Sequence, residues 1–82
     1  MKQCSKGTGL EIVGLDHIQI AIPAESEDEA RKFYRDVLRL NEIEKPTSLA
    51  GRGGLWLSAP GINIHLGVDT DFNPARKAHP AF

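Results

Sequence analysis

The stretch Leu15-Asp16-His17-Ile18-Gln19-Ile20-Ala21-Ile22 constrains this chain more than any other, because its side chains alternate in character without a break. On an extended backbone successive side chains point to opposite faces. Ile18, Ile20 and Ile22 therefore share one face, and His17, Gln19 and Ala21 share the other. The isoleucine face requires a core, while the histidine face is left free for chemistry. A second stretch, Gly61-Ile62-Asn63-Ile64-His65-Leu66-Gly67, repeats the arrangement with Ile62, Ile64 and Leu66 on one side and Asn63 and His65 on the other. Two such strands call for a sheet covered on one face, and they raise the question of whether His17 and His65 share a site.

The segments between them supply the cover. Pro23 removes a backbone donor and ends the first strand, which starts near Ile12 or Leu15. Ser26-Glu27-Asp28-Glu29 has the form of a capping box and predicts a helix start. Ala30, Phe33, Tyr34, Val37 and Leu38 then recur at helical spacing as an apolar stripe, with Arg31, Lys32, Arg35 and Asp36 on or beside the solvated face. Phe33 and Tyr34 are expected as core contacts, with Tyr34 at a ligand the minor alternative. Leu40 to Lys45 alternates weakly and predicts a short edge strand closed by Pro46.

Thr47 to Gly54, with Gly51, Gly53 and Gly54 around Arg52, predicts a loop or a bulged strand start. Arg52 is either a solvated turn residue or a clamp for an anionic substrate; the segment lacks a phosphate-loop lysine and the strand-loop-helix order. Leu55-Trp56-Leu57-Ser58 then forms a hairpin with the His65 strand through Ala59-Pro60-Gly61. With Leu55 and Leu57 facing the helix, Trp56 shares the histidine face, as a pocket wall or as a subunit contact. Residues 68–78 carry no sustained period and form a connector in which Phe72 is the candidate anchor.

At 82 residues the chain is one small domain, marginal alone and helped by a partner. A net charge of -1 gives no basic face for a phosphate backbone, so nucleic acid is not an expected partner. No apolar run reaches membrane-spanning length, and Met1 to Gly7 lacks the apolar centre of a signal peptide, so the expected location is cytoplasmic. Cys4 is the single cysteine, which excludes an intrachain disulfide and a thiolate cluster within one chain.

The order of elements is strand, helix, strand, strand, strand, connector. One helix covers one side of such a sheet, so the face with His17, Gln19, Asn63 and His65 needs water or a second module. The runs Gly14 to Pro23, Ala30 to Leu38 and Ile64 to Gly67 together resemble the vicinal oxygen chelate superfamily, which includes glyoxalase I, extradiol dioxygenases and the bleomycin and fosfomycin resistance proteins. The resemblance covers residues 12 to 82. It departs at Arg39, where the family has glycine after the helix, and a less sharply turned helix exit is expected there.

The resemblance implies an α+β fold: a βαβββ module with one helix on a cupped mixed sheet, paired with a second module or a second copy. The implied organisation is a flexible leader at 1–10, with packing starting near Leu10, the module at 11–67, and a connector with the opening of a second, truncated module at 68–82. It implies a divalent metal (Fe, Mn, Ni or Zn) held by His17, His65 and His79, with a fourth ligand beyond Phe82. Trp56, Gln19, Asn63 and Arg52 are the candidate substrate-binding residues. The implied function is a metal-dependent lyase, isomerase or dioxygenase acting on a small oxygen-bearing substrate once the sheet is completed. The alternatives are a metal-free sequestering module of the bleomycin-resistance type and an inactive fragment.

Overall fold

The structure, a computed structural model, describes residues 9–82; Cys4 and most of the expected leader lie outside them. The elements are β1 (Ile18–Ile22), a helix of two parts, β2 (Asn41–Ile43), a 3-10 helix (Thr47–Arg52), β3 (Leu55–Ala59) and β4 (Ile62–Val68). The helix starts as α1 (Glu27–Ala30) and continues as π-helix over Arg31–Val37. The sheet order is β1-β4-β3-β2, with β1 parallel to β4 and both other pairings antiparallel. The parallel pair follows from the helix crossover between β1 and the later strands, and the antiparallel pair β3–β4 from the tight turn at Pro60-Gly61. This is the βαβββ arrangement of a small α+β protein.

The strand alternation sorts the side chains as the sequence requires. Leu55, Leu57, Ile64 and Leu66 are at most 2% exposed and form the centre of the core, with Ile22, Ala30 and Leu40 around them. Burying each large aliphatic side chain stabilises the fold by about 1.5–3 kcal/mol. The helix contributes less than its stripe suggests. Ala30 and Tyr34 pack on the core, whereas Phe33 and Val37 are 50% and 65% exposed. The π-helical stretch explains the difference: the Leu38 amide donates to the Phe33 carbonyl, five residues back. The wider turn moves the apolar stripe off the register that a 3.6-residue period assigns to it.

Three further expectations at the ends of elements are corrected. The capping box does not form, because the Ser26 hydroxyl donates to the Pro23 carbonyl and no side chain caps the helix. The strand begins at Ile18, and Leu10, Ile12, Val13 and Leu15 before it are 83–96% exposed, so packing does not start near Leu10. Arg39 takes φ +65°, the left-handed conformation that glycine adopts after a helix, so the exit turns as sharply with arginine in that place.

The segment before β3 is held by charge on both sides of one peptide. Lys45 Nζ donates to the Gly53 carbonyl, and the Gly54 amide donates to Glu27 Oε2 at 3.0 Å. Gly54 has φ +84°, and a Cβ there would lie 2.0 Å from the Leu66 carbonyl oxygen. The chain can therefore enter β3 this close to β4 only through glycine, and that contact sets which face Trp56 occupies.

Candidate metal and ligand site

The face of the sheet away from the core carries His17 immediately before β1, Gln19 on β1, Asn63 and His65 on β4, and Trp56 on β3. Register places Gln19 and Trp56 on either side of His65, with Ile43 beyond Trp56. The three rings form a stack with His65 in the middle. Its centroid is 3.9 Å from that of Trp56 with planes 4° apart, and 4.0 Å from that of His17 with planes 16° apart. Asp16, Asn63, Ile43 and Leu49 complete the walls of an open recess of about 500 Å³.

Electrostatics differ between the two imidazoles. Desolvation in the stack, reinforced by His17 beside it, lowers the His65 pKa against the opposing pull of Asp16, so His65 is held neutral. His17 Nδ1 donates to Asp16 Oδ2 at 2.8 Å, which turns Nε2 toward the open side as the nitrogen available to a ligand. Asn63 Nδ2 in turn donates to the Asp16 carbonyl at 3.3 Å and ties this turn to β4. A carboxylate behind a histidine is the usual means of fixing which nitrogen is offered to a metal.

Two imidazoles side by side are a donor set that suits a borderline divalent ion. Lone pairs lie in the ring planes, so rings this close to parallel direct them side by side, and both meeting one ion requires rotation out of the stack. Among the described residues no group of three or more His, Cys, Asp or Glu side chains is arranged to hold a metal ion. The donor chemistry fits a metal; the donor number, two, falls short of a metal site among the described residues.

His79 is not brought to the pair. Its Nδ1 donates to the Lys77 carbonyl at 2.7 Å, and it lines a separate cleft of about 650 Å³ between β1 and residues 72–80. Gln19 borders both spaces. Arg52 lies at the other end of the open face, in a recess shared with Lys45, Gln19 and Trp56. Sequence reading singled out neither Asp16 nor Lys45 as part of the site. The adjacency of Asp16 to His17 was a usable signal; Lys45 carries none, because the 3-10 helix and the glycines fold back to meet it. Glu27, at the helix start, serves the Gly54 amide and does not reach the rings.

No family model matches the chain. It is 38% identical over 60 residues to Glyoxylase I 4 of Arabidopsis thaliana, an alignment that covers 73% of this chain and 33% of that protein. A crystal structure from Bacillus anthracis described as a glyoxalase family protein superposes with a TM-score of 0.84 and 47% identity, over 90% of this chain and 61% of that one. The chain thus spans about a third of one relative and three fifths of the other. Identity at this level, with superposition over 90% of the chain, carries the assignment: the chain belongs to the vicinal oxygen chelate superfamily, as a glyoxalase-like module.

Proposed function

We propose that this module binds a divalent metal through His17 and His65 and holds a small oxygen-bearing substrate on the open face, as one half of a lyase, isomerase or dioxygenase site. The observation that carries the reading is the juxtaposition of the two imidazoles on adjoining strands, 4.0 Å apart, with a carboxylate behind one of them. A metal bound there would supply Lewis-acid chemistry, drawing charge from adjacent substrate oxygens. The chain's own residues do the rest of what this half can do. Asp16 keeps the Nε2 lone pair of His17 available. Trp56 and Ile43 wall the recess and exclude water from one side, and Gln19 and Asn63 offer amide donors to substrate oxygens.

The remaining ligands, His79 among them, belong to this reading as the opening of a second module in residues 68–82, which completes the sheet within a longer chain or through a second copy. Residues 1–10 remain assigned to a leader. The β1 edge, unpaired in the sheet and bordered by residues 72–80 across a cleft, supports a partner there, since an unpaired strand edge seeks hydrogen-bond partners.

The test is metal analysis of protein purified without chelators, combined with its mass in solution. The expected result is an assembly with bound metal that loses the ion on His17→Ala or His65→Ala. A metal-free protein that takes up neither Ni(II) nor Zn(II) in titration sinks the proposal. The Trp56–His65 stack favours one second reading, a metal-free module that sequesters a planar ligand against the rings; quenching of Trp56 by such a ligand in chelator-treated protein would distinguish it.

A further inference from the structure

The open face has two ends, and only one of them carries the histidines. At the other, Lys45, Arg52, Gln19 and Trp56 line a recess of about 270 Å³ that shares Gln19, Leu49 and Trp56 with the histidine recess. Two cations thus converge on one concavity. Glu27, whose carboxylate feels the charge of Lys45, is committed through Oε2 to the Gly54 amide and makes no ion pair with either cation. Arg52 makes no hydrogen bond or ion pair among the described residues, and Lys45 spends one of its three donors on the Gly53 carbonyl. Like charges held together in this way favour an anion between them.

Gln19 marks the junction. A Cβ at Gly67 would lie 3.1 Å from Gln19 Nε2, so the amide rests on the β4 backbone where glycine leaves room, between the two recesses. From His65 to Gly67 is two residues along β4, roughly 7 Å.

We infer that Lys45 and Arg52 form an anion subsite, and that the ligand of this face is a small carboxylic acid with its carboxylate at the cationic end. Its oxygen-bearing end, roughly 7 Å away along the strand, faces His17 and His65. This deepens the proposed function and rests on it for the second end only; the anion subsite stands or falls alone.

The experiment uses the single tryptophan, Trp56, which lines both recesses, as the reporter. Chelator-treated protein at pH 8, where free imidazoles are neutral, is titrated with glutarate and with its uncharged diamide. Glutarate is expected to change Trp56 emission saturably and the diamide is not. Arg52→Gln is expected to weaken glutarate by about fivefold or more, and raising the salt to about 0.3 M to weaken it further. Lys45→Met is expected to act in the same direction. Because Lys45 also holds the Gly53 carbonyl, Arg52→Gln, at an exposed residue without partners among the described residues, decides the matter should Lys45→Met fail to fold. Equal binding of the diamide, or unchanged binding in Arg52→Gln, overturns the subsite. Loss of glutarate binding in His17→Ala with binding retained in Arg52→Gln assigns the anion to the histidine end and overturns it as well. Metal titration of Arg52→Gln keeps the two readings apart: uptake unchanged with glutarate lost supports both, whereas uptake absent in every variant and in the parent chain removes only the metal.

Discussion

Gly54→Ala is the sharpest test of how this sheet is built. The substitution adds one methyl group at φ +84°, with its carbon 2.0 Å from the Leu66 carbonyl oxygen. No rotamer can relieve that overlap, since the obstacle is backbone and Leu66 is 2% exposed within the central strand. Two contributions add. A non-glycine residue in the left-handed region costs about 1–2 kcal/mol, and forcing packed backbone apart costs about 1–3 kcal/mol more. The sum, about 2–5 kcal/mol, compares with the roughly 4–12 kcal/mol expected for a domain of this length.

Gly61→Ala isolates the first contribution. Gly61 has φ +78° and nothing within 4 Å of a new Cβ, so strain acts there without a clash. Urea denaturation followed by Trp56 emission and circular dichroism gives both values, provided the denaturant slope is unchanged. The expected order is parent, Gly61→Ala, then Gly54→Ala, the last two separated by at least about 1 kcal/mol. Equal destabilisation by the two variants would refute the close approach of Gly54 to β4 and, with it, the strand register that sets Trp56 beside His65.

Arg39→Gly relieves a left-handed arginine at the helix exit and is expected to raise stability by about 1 kcal/mol, seen as a higher urea midpoint; a lower one contradicts the observed turn. Glu27 has its pKa lowered from the ordinary value of 4.5, chiefly by the Gly54 amide and then by its own. Its stabilising contribution is therefore complete above that value and disappears as pH falls through the depressed one. Glu27→Gln should cost stability at pH 7, and the difference should shrink as pH falls below 4.5; a pH-independent difference would count against the charged hydrogen bond. Asp16→Ala should shift the neutral His17 ring from the Nδ1–H toward the Nε2–H form in nitrogen-15 spectra at pH 8 and weaken metal binding by about tenfold. An unmoved tautomer would show that Asp16 does not orient the ring.

The strands were legible because their faces differ in chemistry. Alternation in Ile18 to Ile22 and Ile62 to Leu66 identified the core face, and parity alone placed Trp56 with the histidines. The helix was legible in place but not in phase. Its stripe assumed 3.6 residues per turn, and the π-helical stretch from Arg31 onward leaves Phe33 and Val37 in solvent while Tyr34 packs. Ser26 looked like a cap because its spacing to Glu29 was right, yet the nearer Pro23 carbonyl takes its hydroxyl. Such choices between local partners are decided by a few tenths of an ångström and leave no mark in the pattern. Of the cationic end of the open face, Arg52 was legible as a candidate anion clamp, and Lys45 was not, for a different reason. Lys45 and Arg52 line one recess because Gly53 and Gly54 take positive φ and fold the 3-10 helix back toward the sheet.

One strand connects the assembly of this module with its proposed chemistry. β1 is the terminal strand of the sheet, paired on one side with β4 and open on the other, and His17 stands immediately before it. Asp69 extends the pairing by donating to the Ile22 carbonyl, so β1 is tied to β4 along its whole length and is a rigid edge. A second module that adds to this edge would fix the strand bearing one proposed ligand and bring its own ligands to the same face. Under the proposed function, then, completing the sheet and completing the metal site are one event. By mass action the metal would stabilise the assembly and the assembly would raise the affinity for metal by the same factor. Dissociation measured with and without Ni(II) should therefore differ by the ratio in which metal affinity differs between half and whole; an assembly indifferent to metal would separate the edge from the site.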